Sequence, residues 1–416
     1  MKQLHEHART MISTIIADNL PQKSVESTLK AQDFTNTKVY IIAIGKAAWT
    51  MTKTASDYLG NKVEKGILIT KYGHSNGKIP KVEIYEAGHP TPDENTVKAT
   101  KAVLALAENL NANDLVLFLV SGGGSALFEA PQDGISLEDM AKITNDLLAS
   151  GADITEINTI RKRLSKVKGG RFADICKPAS ILSIVLSDVL GDRLDIIASG
   201  PAAPDKTTKE ETLRIIEKYG LKFTQSQMEH IHKETPKSTN NVKTFVTGSV
   251  RSLCESAAVC AKSFGFNPYI LTSSLNCEAS QAGKFLAAIA RDTQEGHTHF
   301  QKPCAIIAGG ETVVRVTGDG KGGRNQELAL AAAAGIAGIK DVVIFSLGSD
   351  GTDGPTDAAG GIVDGDTCAK LAGQEINIDF VLGNNDSYNG LKAVDGLIIT
   401  GPTGTNVNDV SVALII

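Results

Sequence analysis

Several short stretches of this chain combine cations, hydroxyls and glycine in ways suited to holding an anion. Ser121-Gly122-Gly123-Gly124-Ser125 follows an apolar run at 114–120. Three glycines strip side chains from the turn, so backbone N–H groups can gather around an anion, and two hydroxyls add donors. A glycine run alone reads as a flexible turn. Its place at the carboxyl end of a buried strand, where open α/β sheets bind ligands, favours a phosphate cradle. Gly45-Lys46 follows the apolar run 39–44, and Lys46 reads either as an exposed turn residue or as a phosphate-binding point charge beside a helix start. Lys168-Gly169-Gly170-Arg171 ends a run of six cations from Arg161 to Arg171 with no acid between them. Most charge runs are solvated helix faces. Two glycines between cations instead expose free N–H donors at a new helix start, a carboxylate or phosphate site.

Acids stand at comparable places. Asp188 follows the apolar run 181–186. Asp350, Asp353 and Asp357 fall within a rigid Gly/Pro loop after the run 342–347. No acid closes that loop at the spacing a calcium loop needs, so magnesium held by one or two carboxylates together with phosphate oxygens is the better match. His89, between Gly88 and Pro90, reads either as a substrate ligand or as a structural loop histidine. Gly318, Gly320 and Gly323 satisfy G-x-G-x-x-G, which raises a dinucleotide site as the rival. Lys321 and Arg324 in that loop suit a transferring phosphoryl group better than a pyrophosphate held by uncharged backbone. No Walker A or protein-kinase signature is present.

These residues need a sheet to bring them together. Runs at 39–44, 114–120, 181–186, 304–308, 342–347 and 397–400 read as strands buried on both faces, each delivering small or charged residues at one end. Shorter strands are expected at 66–70, 81–87, 244–247, 269–272 and 313–317 and another beginning at 411, with helices over most of the remaining segments. The polar segment 221–241 marks the expected domain boundary. With 416 residues, 42% hydrophobic and 21% charged, the chain has an ordinary globular composition with material for two cores. A net charge of −5 excludes the global basic field of a nucleic-acid binder. Six scattered cysteines without C-x-x-C argue for a reducing compartment and against zinc. The polar start and the absence of a long apolar run read as no signal peptide, no membrane span and a cytoplasmic protein.

As a set, Gly45-Lys46-Ala47-Ala48, Ala87-Gly88-His89-Pro90, VSGGGSAL at 120–127, KGGR at 168–171, LSDVLG at 186–191, ASGP at 198–201, GGET at 309–312, GKGGRNQELA at 320–329, SDGTDGPTDAAG at 349–360 and GPTGTN at 401–406 resemble the glycerate 2-kinase family, whose C-terminal part is the MOFRL domain. The resemblance implies an α/β protein of two three-layer α/β/α domains with a cleft between them. A Rossmann-like N-terminal domain is expected over 1–240 and the C-terminal domain over 241–416. The implied reaction moves the γ-phosphoryl group of ATP, with Mg²⁺, to the 2-hydroxyl of D-glycerate, giving 2-phospho-D-glycerate and ADP. The family's functional lysine and arginine match Lys46 and Arg324. On this reading Ser121, Gly122, Gly123, Gly124 and Ser125 hold nucleotide phosphates. Lys168 or Arg171 takes the glycerate carboxylate, with His89 as a further substrate ligand. Asp350 or Asp353 holds magnesium, and Asp188 is the candidate base. Beyond ATP and D-glycerate no nucleic acid or membrane partner is expected, and assembly into a homo-oligomer is left open. The alternative is an NAD(P)H-dependent hydroxypyruvate reductase, resting on G-x-G-x-x-G.

Overall fold

The computed structural model describes residues 1–416. They form two compact units, Val25–Thr247 and Met1–Ser24 together with Gly248–Ile416.

The first unit is built on six strands, β1 Lys38–Ile44, β2 Val63–Lys71, β3 Val82–Ala87, β4 Asp114–Val120, β5 Ser180–Leu186 and β6 Val242–Gly248. Their spatial order is β3-β2-β1-β4-β5-β6, and the pairs β1–β2, β2–β3, β1–β4 and β4–β5 are parallel. The chain steps outward from β1 to β3, then returns to lay β4 on the other side of β1. That reversal opens a crevice at the carboxyl ends of β1 and β4, the place where sheets of this order bind ligands. Alternation along the strands explains the continuous apolar runs. Ile42, Ile44, Val116, Phe118 and Val120 pack in one core with the helix Glu94–Ala107. The intervening Ile41, Ala43, Leu117 and Leu119 are equally buried on the other face, where the helix Ala48–Leu59 lies. The helices Leu137–Ala149, Ile154–Leu164, Lys209–Tyr219 and Gln225–Ile231 gather around a smaller apolar cluster of their own.

The second sheet has β7 Asn267–Leu275, β8 Cys304–Gly310, β9 Val342–Gly348, β10 Gly360–Asp364, β11 Leu397–Ile398 and β12 Asp409–Ile415, in the order β11-β10-β9-β12-β8-β7. Strand β12 is antiparallel to both neighbours, β8 and β9. The carboxyl ends of β8 and β9 therefore share an edge with the amino end of β12. Cys304, Ile306, Val342, Ile344, Ala413 and Ile415 pack under the helices Ala279–Gln294 and Arg324–Gly335. Ala305, Ile307, Val343, Phe345, Val412 and Leu414 are buried on the opposite face, against the helices Lys2–Asp18 and Val250–Ser263.

The division differs from the one expected at 240/241. Strand β6 completes the first sheet, so that unit runs to Thr247. Residues 1–24 join the second unit because the helix Lys2–Asp18 buries Leu4, Ala8, Met11, Ile12 and Ile15 there. His5 Nε2 lies 2.8 Å from Asp364 Oδ2, and Ser252 and Ser256 donate to Asn19 and Asp18 at 2.6 and 2.8 Å. The strand expected at 313–317 is an irregular segment with one isolated bridge, Glu278 to Val313. No helix is long and apolar enough to cross a membrane.

Candidate active site

In the first unit, the turns after β1 and β4 are bonded to each other. Lys46 N donates to Gly122 O at 2.9 Å, and Ala47 N donates to Ser121 Oγ at 3.0 Å. Gly45 has φ +113, and a side chain there would run into Ser121. Gly123 has φ +87, and a Cβ on it would sit 2.9 Å from His89 Cδ2 and 3.5 Å from Lys46 Cγ. A Cβ on Gly122 would meet Asp188 Oδ2 at 2.5 Å. Four loops thus bring Lys46, His89 and Asp188 onto the bare backbone of Gly122 and Gly123, and all three side chains are half-buried. Burial, then the charges of Lys46, Lys71 and His74, push the pKa of His89 below its ordinary value. The imidazole is therefore neutral at pH 7 and can donate one hydrogen bond and accept another.

Lys71 and His74 are absent from the sequence-based candidates. Lys71 closes β2 opposite Ala87, two residues before His89, and His74 N donates to Lys71 O at 3.0 Å. The signal was available, since Lys71 follows an apolar run just as Lys46 does. With Lys46, Lys71 makes this edge of the sheet cationic, which suits an anionic ligand.

Lys168 is not open to a ligand. Its side chain is fully buried, and its ammonium donates to Ser125 O at 2.8 Å and Phe128 O at 3.0 Å and lies 3.3 Å from Glu129 Oε2. Burial lowers its pKa to about 8, against the opposing pull of Glu129. The lysine ties down the turn Gly124–Leu127 at the back of the cradle. Gly169 and Gly170 have φ +59 and +82 and donate to Ser199 O and Gly200 O at 3.0 and 2.7 Å. The turn they grip holds Ala198 and Ser199 at φ +50 and +60, a conformation that side chains disfavour. Ser199 Oγ then reaches Ser125 Oγ at 3.1 Å. Arg171 remains the available member of this pair. Its Nε is buried without a hydrogen-bond partner, and burial holds its pKa below the ordinary value. The neighbouring cations are not a solvated face either. Arg163 is fully buried and donates to Thr212 Oγ1 at 2.6 Å and Lys233 O at 2.6 Å, while Lys162 pairs with Asp205 at 3.2 Å.

In the second unit, Arg324 opens the helix Arg324–Gly335. Its Nε lies 2.6 Å from Asp409 Oδ2, its Nη2 donates to Asp409 Oδ1 at 3.1 Å and its Nη1 to Glu311 Oε1 at 2.9 Å. Burial opposes the guanidinium charge, yet the two carboxylates hold its pKa above the usual value. Asp353 is buried and accepts from Asn325 N at 3.2 Å and Gln326 N at 2.9 Å. It satisfies the first amides of this helix, so they are not free to bind phosphate. Asp350 accepts from Thr352 N at 2.9 Å with Oδ1 alone.

These positions decide how magnesium fits. Asp353 spends both oxygens on the helix start and does not suit the ion. Asp350 keeps one oxygen for it, enough for an ion held mostly by phosphate and water. The G-x-G-x-x-G loop is not a dinucleotide cradle. It follows no strand, a Cβ on Gly320 would sit 2.5 Å from Asp386 Cβ, and Gly318, Gly322 and Gly323 are packed as closely on Asn384, Ser387 and Asp353. Lys321 lies over the Tyr388 ring at 4.2 Å. These glycines admit protein backbone rather than pyrophosphate.

Two family models match the chain, one described as a domain of unknown function, DUF4147, over residues 7–232, and the MOFRL family over 304–409. The D-glycerate 2-kinase of Thermotoga maritima is 53% identical over 415 residues, covering 100% of this chain and 99% of that one. The glycerate 2-kinase of Pyrococcus horikoshii is 46% identical over 91% of this chain and 87% of its own length. A more distant relative from Agrobacterium vitis, named for hydroxypyruvate reductase, is 37% identical over 90% of this chain and 98% of its own. The crystal structure of glycerate kinase from Thermotoga maritima superposes with a TM-score of 0.97, covering 100% of both chains. On fold, motifs and whole-length identity, this chain belongs to the glycerate 2-kinase family.

Proposed function

We propose that this chain is an ATP-dependent glycerate 2-kinase, producing 2-phospho-D-glycerate and ADP. The observation that carries the reading is the meeting of Lys46, His89 and Asp188 on the 121–125 turn, in a chain that aligns end to end with a D-glycerate 2-kinase. Phosphoryl transfer asks little covalent work of the protein. It needs in-line positioning and neutralisation of the equatorial oxygens. The backbone amides of Gly122 and Gly123 and the Ser125 hydroxyl hold nucleotide phosphates; the Gly124 amide donates to Ser121 O at 3.3 Å. Lys46 and Arg324, which match the family's functional lysine and arginine, place positive charge on the transferring group. Arg171 takes the glycerate carboxylate, and neutral His89 hydrogen-bonds the substrate. Asp188 accepts the proton of the 2-hydroxyl as its oxygen bonds to the γ-phosphorus and the bond to ADP breaks. Magnesium, when bound, would neutralise phosphate oxygens, with Asp350 as the protein ligand. The cytoplasm, where ATP is supplied, is the compartment this reading requires.

Incubation with ATP, Mg²⁺ and D-glycerate, followed by phosphorus NMR, tests the assignment. The expected product carries phosphate on carbon 2. Phosphate on carbon 3, or consumption of NAD(P)H with hydroxypyruvate in place of kinase turnover, would overturn it.

A further inference from the structure

We infer that Asp409 is a positioning residue for the phosphoryl transfer, holding the Arg324 guanidinium in the orientation from which it meets the transferring group. The inference rests on the role given to Arg324 above and adds the residue through which that role is set.

A guanidinium has five N–H donors in one plane. Here two are committed by hydrogen bonds, one on Nη2 to Asp409 and one on Nη1 to Glu311, while Nε stands 2.6 Å from Asp409 Oδ2 as an ion-pair contact, leaving one N–H on Nη1 and one on Nη2 for a ligand. The two carboxylates are not equivalent. Glu311 makes a single contact, and its side chain is 44% exposed, the kind of pair that orders little. Asp409 is 8% exposed and grips the Nε–Nη2 edge with both oxygens, so it fixes the plane of the fork as well as its position. Its own placement is rigid. It is the first residue of β12 and lies between Gly310 of β8 and Gly348 of β9. A Cβ on Gly348 would stand 3.4 Å from Asp409 Oδ1, an ordinary packing distance, so the carboxylate lies directly against this strand end.

The setting also makes the contact titratable. Asp409 faces Arg324 and Asn325 from the helix Arg324–Gly335, Glu311 from the end of β8 and Asp353 from the loop after β9. Burial, aided by Asp353 and opposed by Arg324, raises its pKa to about 6. A carboxylate raised in this way takes up its proton as pH falls through about 6. Arg324 then keeps a neutral partner in place of a charged one.

The test is a double-mutant cycle over Asp409→Asn and Arg324→Gln, with kcat and KM measured from pH 5 to 9 and melting curves on every protein. Misplacing a transition-state contact by an ångström costs roughly a hundredfold in rate. Asp409→Asn should therefore lower kcat about a hundredfold, with KM for ATP within about threefold. The double variant should be no slower than Arg324→Gln. Wild-type kcat should show an acid limb near pH 6, a readout that needs no variant to fold, and Asp409→Asn should lack it. Multiplicative losses, with Arg324→Gln itself strongly impaired, would overturn the inference and leave the role of Arg324 standing. Full activity in Arg324→Gln would overturn both. A wild-type kcat flat from pH 5 to 7 would also overturn the inference.

Discussion

Replacing Lys168 with methionine should destabilise the first unit and loosen the nucleotide cradle, and the two effects can be separated. The ammonium is the donor to Ser125 O and Phe128 O and the partner of Glu129, whose own side chain is 1% exposed and whose oxygens have no other hydrogen-bond partner. Removing one member of a buried ion pair typically costs about 3–5 kcal/mol, because the other charge is stranded. That is a large part of a typical domain's stability of about 5–15 kcal/mol. Replacing both members with apolar residues of similar volume, Lys168→Met with Glu129→Leu, should recover most of the loss. The turn Gly124–Leu127 would still lack its anchor, so ATP affinity should stay low in the double variant while its stability returns. Urea unfolding compared across the three proteins gives the first quantity and calorimetric titration with ATP the second. The pH dependence adds a check. Burial lowers the folded pKa of Lys168 from 10.5 to about 8. Between those values the unfolded chain binds more protons, so this group makes stability rise with pH across that window, and Lys168→Met should lack the rise. A single variant within about 1 kcal/mol of wild type, or a double variant as unstable as the single, would refute the reasoning.

Two further substitutions sort function from support. Lys46→Met should lower kcat by at least about a hundredfold with little change in melting temperature, since the side chain is half-buried in a loop beside Gly123 and belongs to no apolar core; near-full kcat would remove Lys46 from the mechanism. Asp353→Asn should destabilise the second unit by about 1 kcal/mol through its helix start without altering the magnesium requirement, whereas Asp350→Asn should raise that requirement and leave stability unchanged. Magnesium titrations and melting curves on both would refute the assignment if the effects are exchanged.

The first sheet was legible because its central parallel strands are buried on both faces and so appear as unbroken apolar runs. Each of those runs ends at the edge proposed to bind the ligand, which made Lys46, the 121–125 turn and Asp188 readable as one set. Lys71 and His74 escaped because the residues after β2 were not weighed as those after β1 were. Asp409 escaped for a topological reason. In an antiparallel strand the residue at the ligand edge stands before the apolar run, not after it, and a search confined to carboxyl ends cannot find it. Burial explains the remaining differences. Sequence shows that Lys168 is a cation beside two glycines, but not that its ammonium is consumed by Ser125 and Phe128. It shows the glycines of G-x-G-x-x-G, but not that the space they leave is filled by Asn384, Asp386 and Asp353.

Three buried charges, two of them offered as ligands by the sequence and the third found only in the structure, have a common consequence. Lys168 fixes the turn behind the proposed phosphate cradle, Asp353 fixes the first turn of the helix that carries Arg324, and Asp409 lies against the Arg324 guanidinium. Each burial carries a desolvation cost that an apolar replacement would avoid, so stability alone does not account for them. Preorganisation does. A phosphoryl transfer state is stabilised by dipoles and charges already aimed at it, because a group that must reorient during the reaction gives back much of what it contributes. A buried ion is held more tightly in direction than an apolar side chain of the same volume, since its bonds are few, short and angularly restricted. On that argument, replacing a whole buried pair with apolar side chains, as in Lys168→Met with Glu129→Leu, should recover most of the stability that the single variant loses and still leave the enzyme impaired, whereas removing Asp409 or Asp353 alone should cost stability as well. The loss should fall on kcat where Asp409 is replaced and on ATP affinity where the Lys168–Glu129 pair is replaced, because the first holds a group used in the transition state and the second a backbone that already binds the ground state.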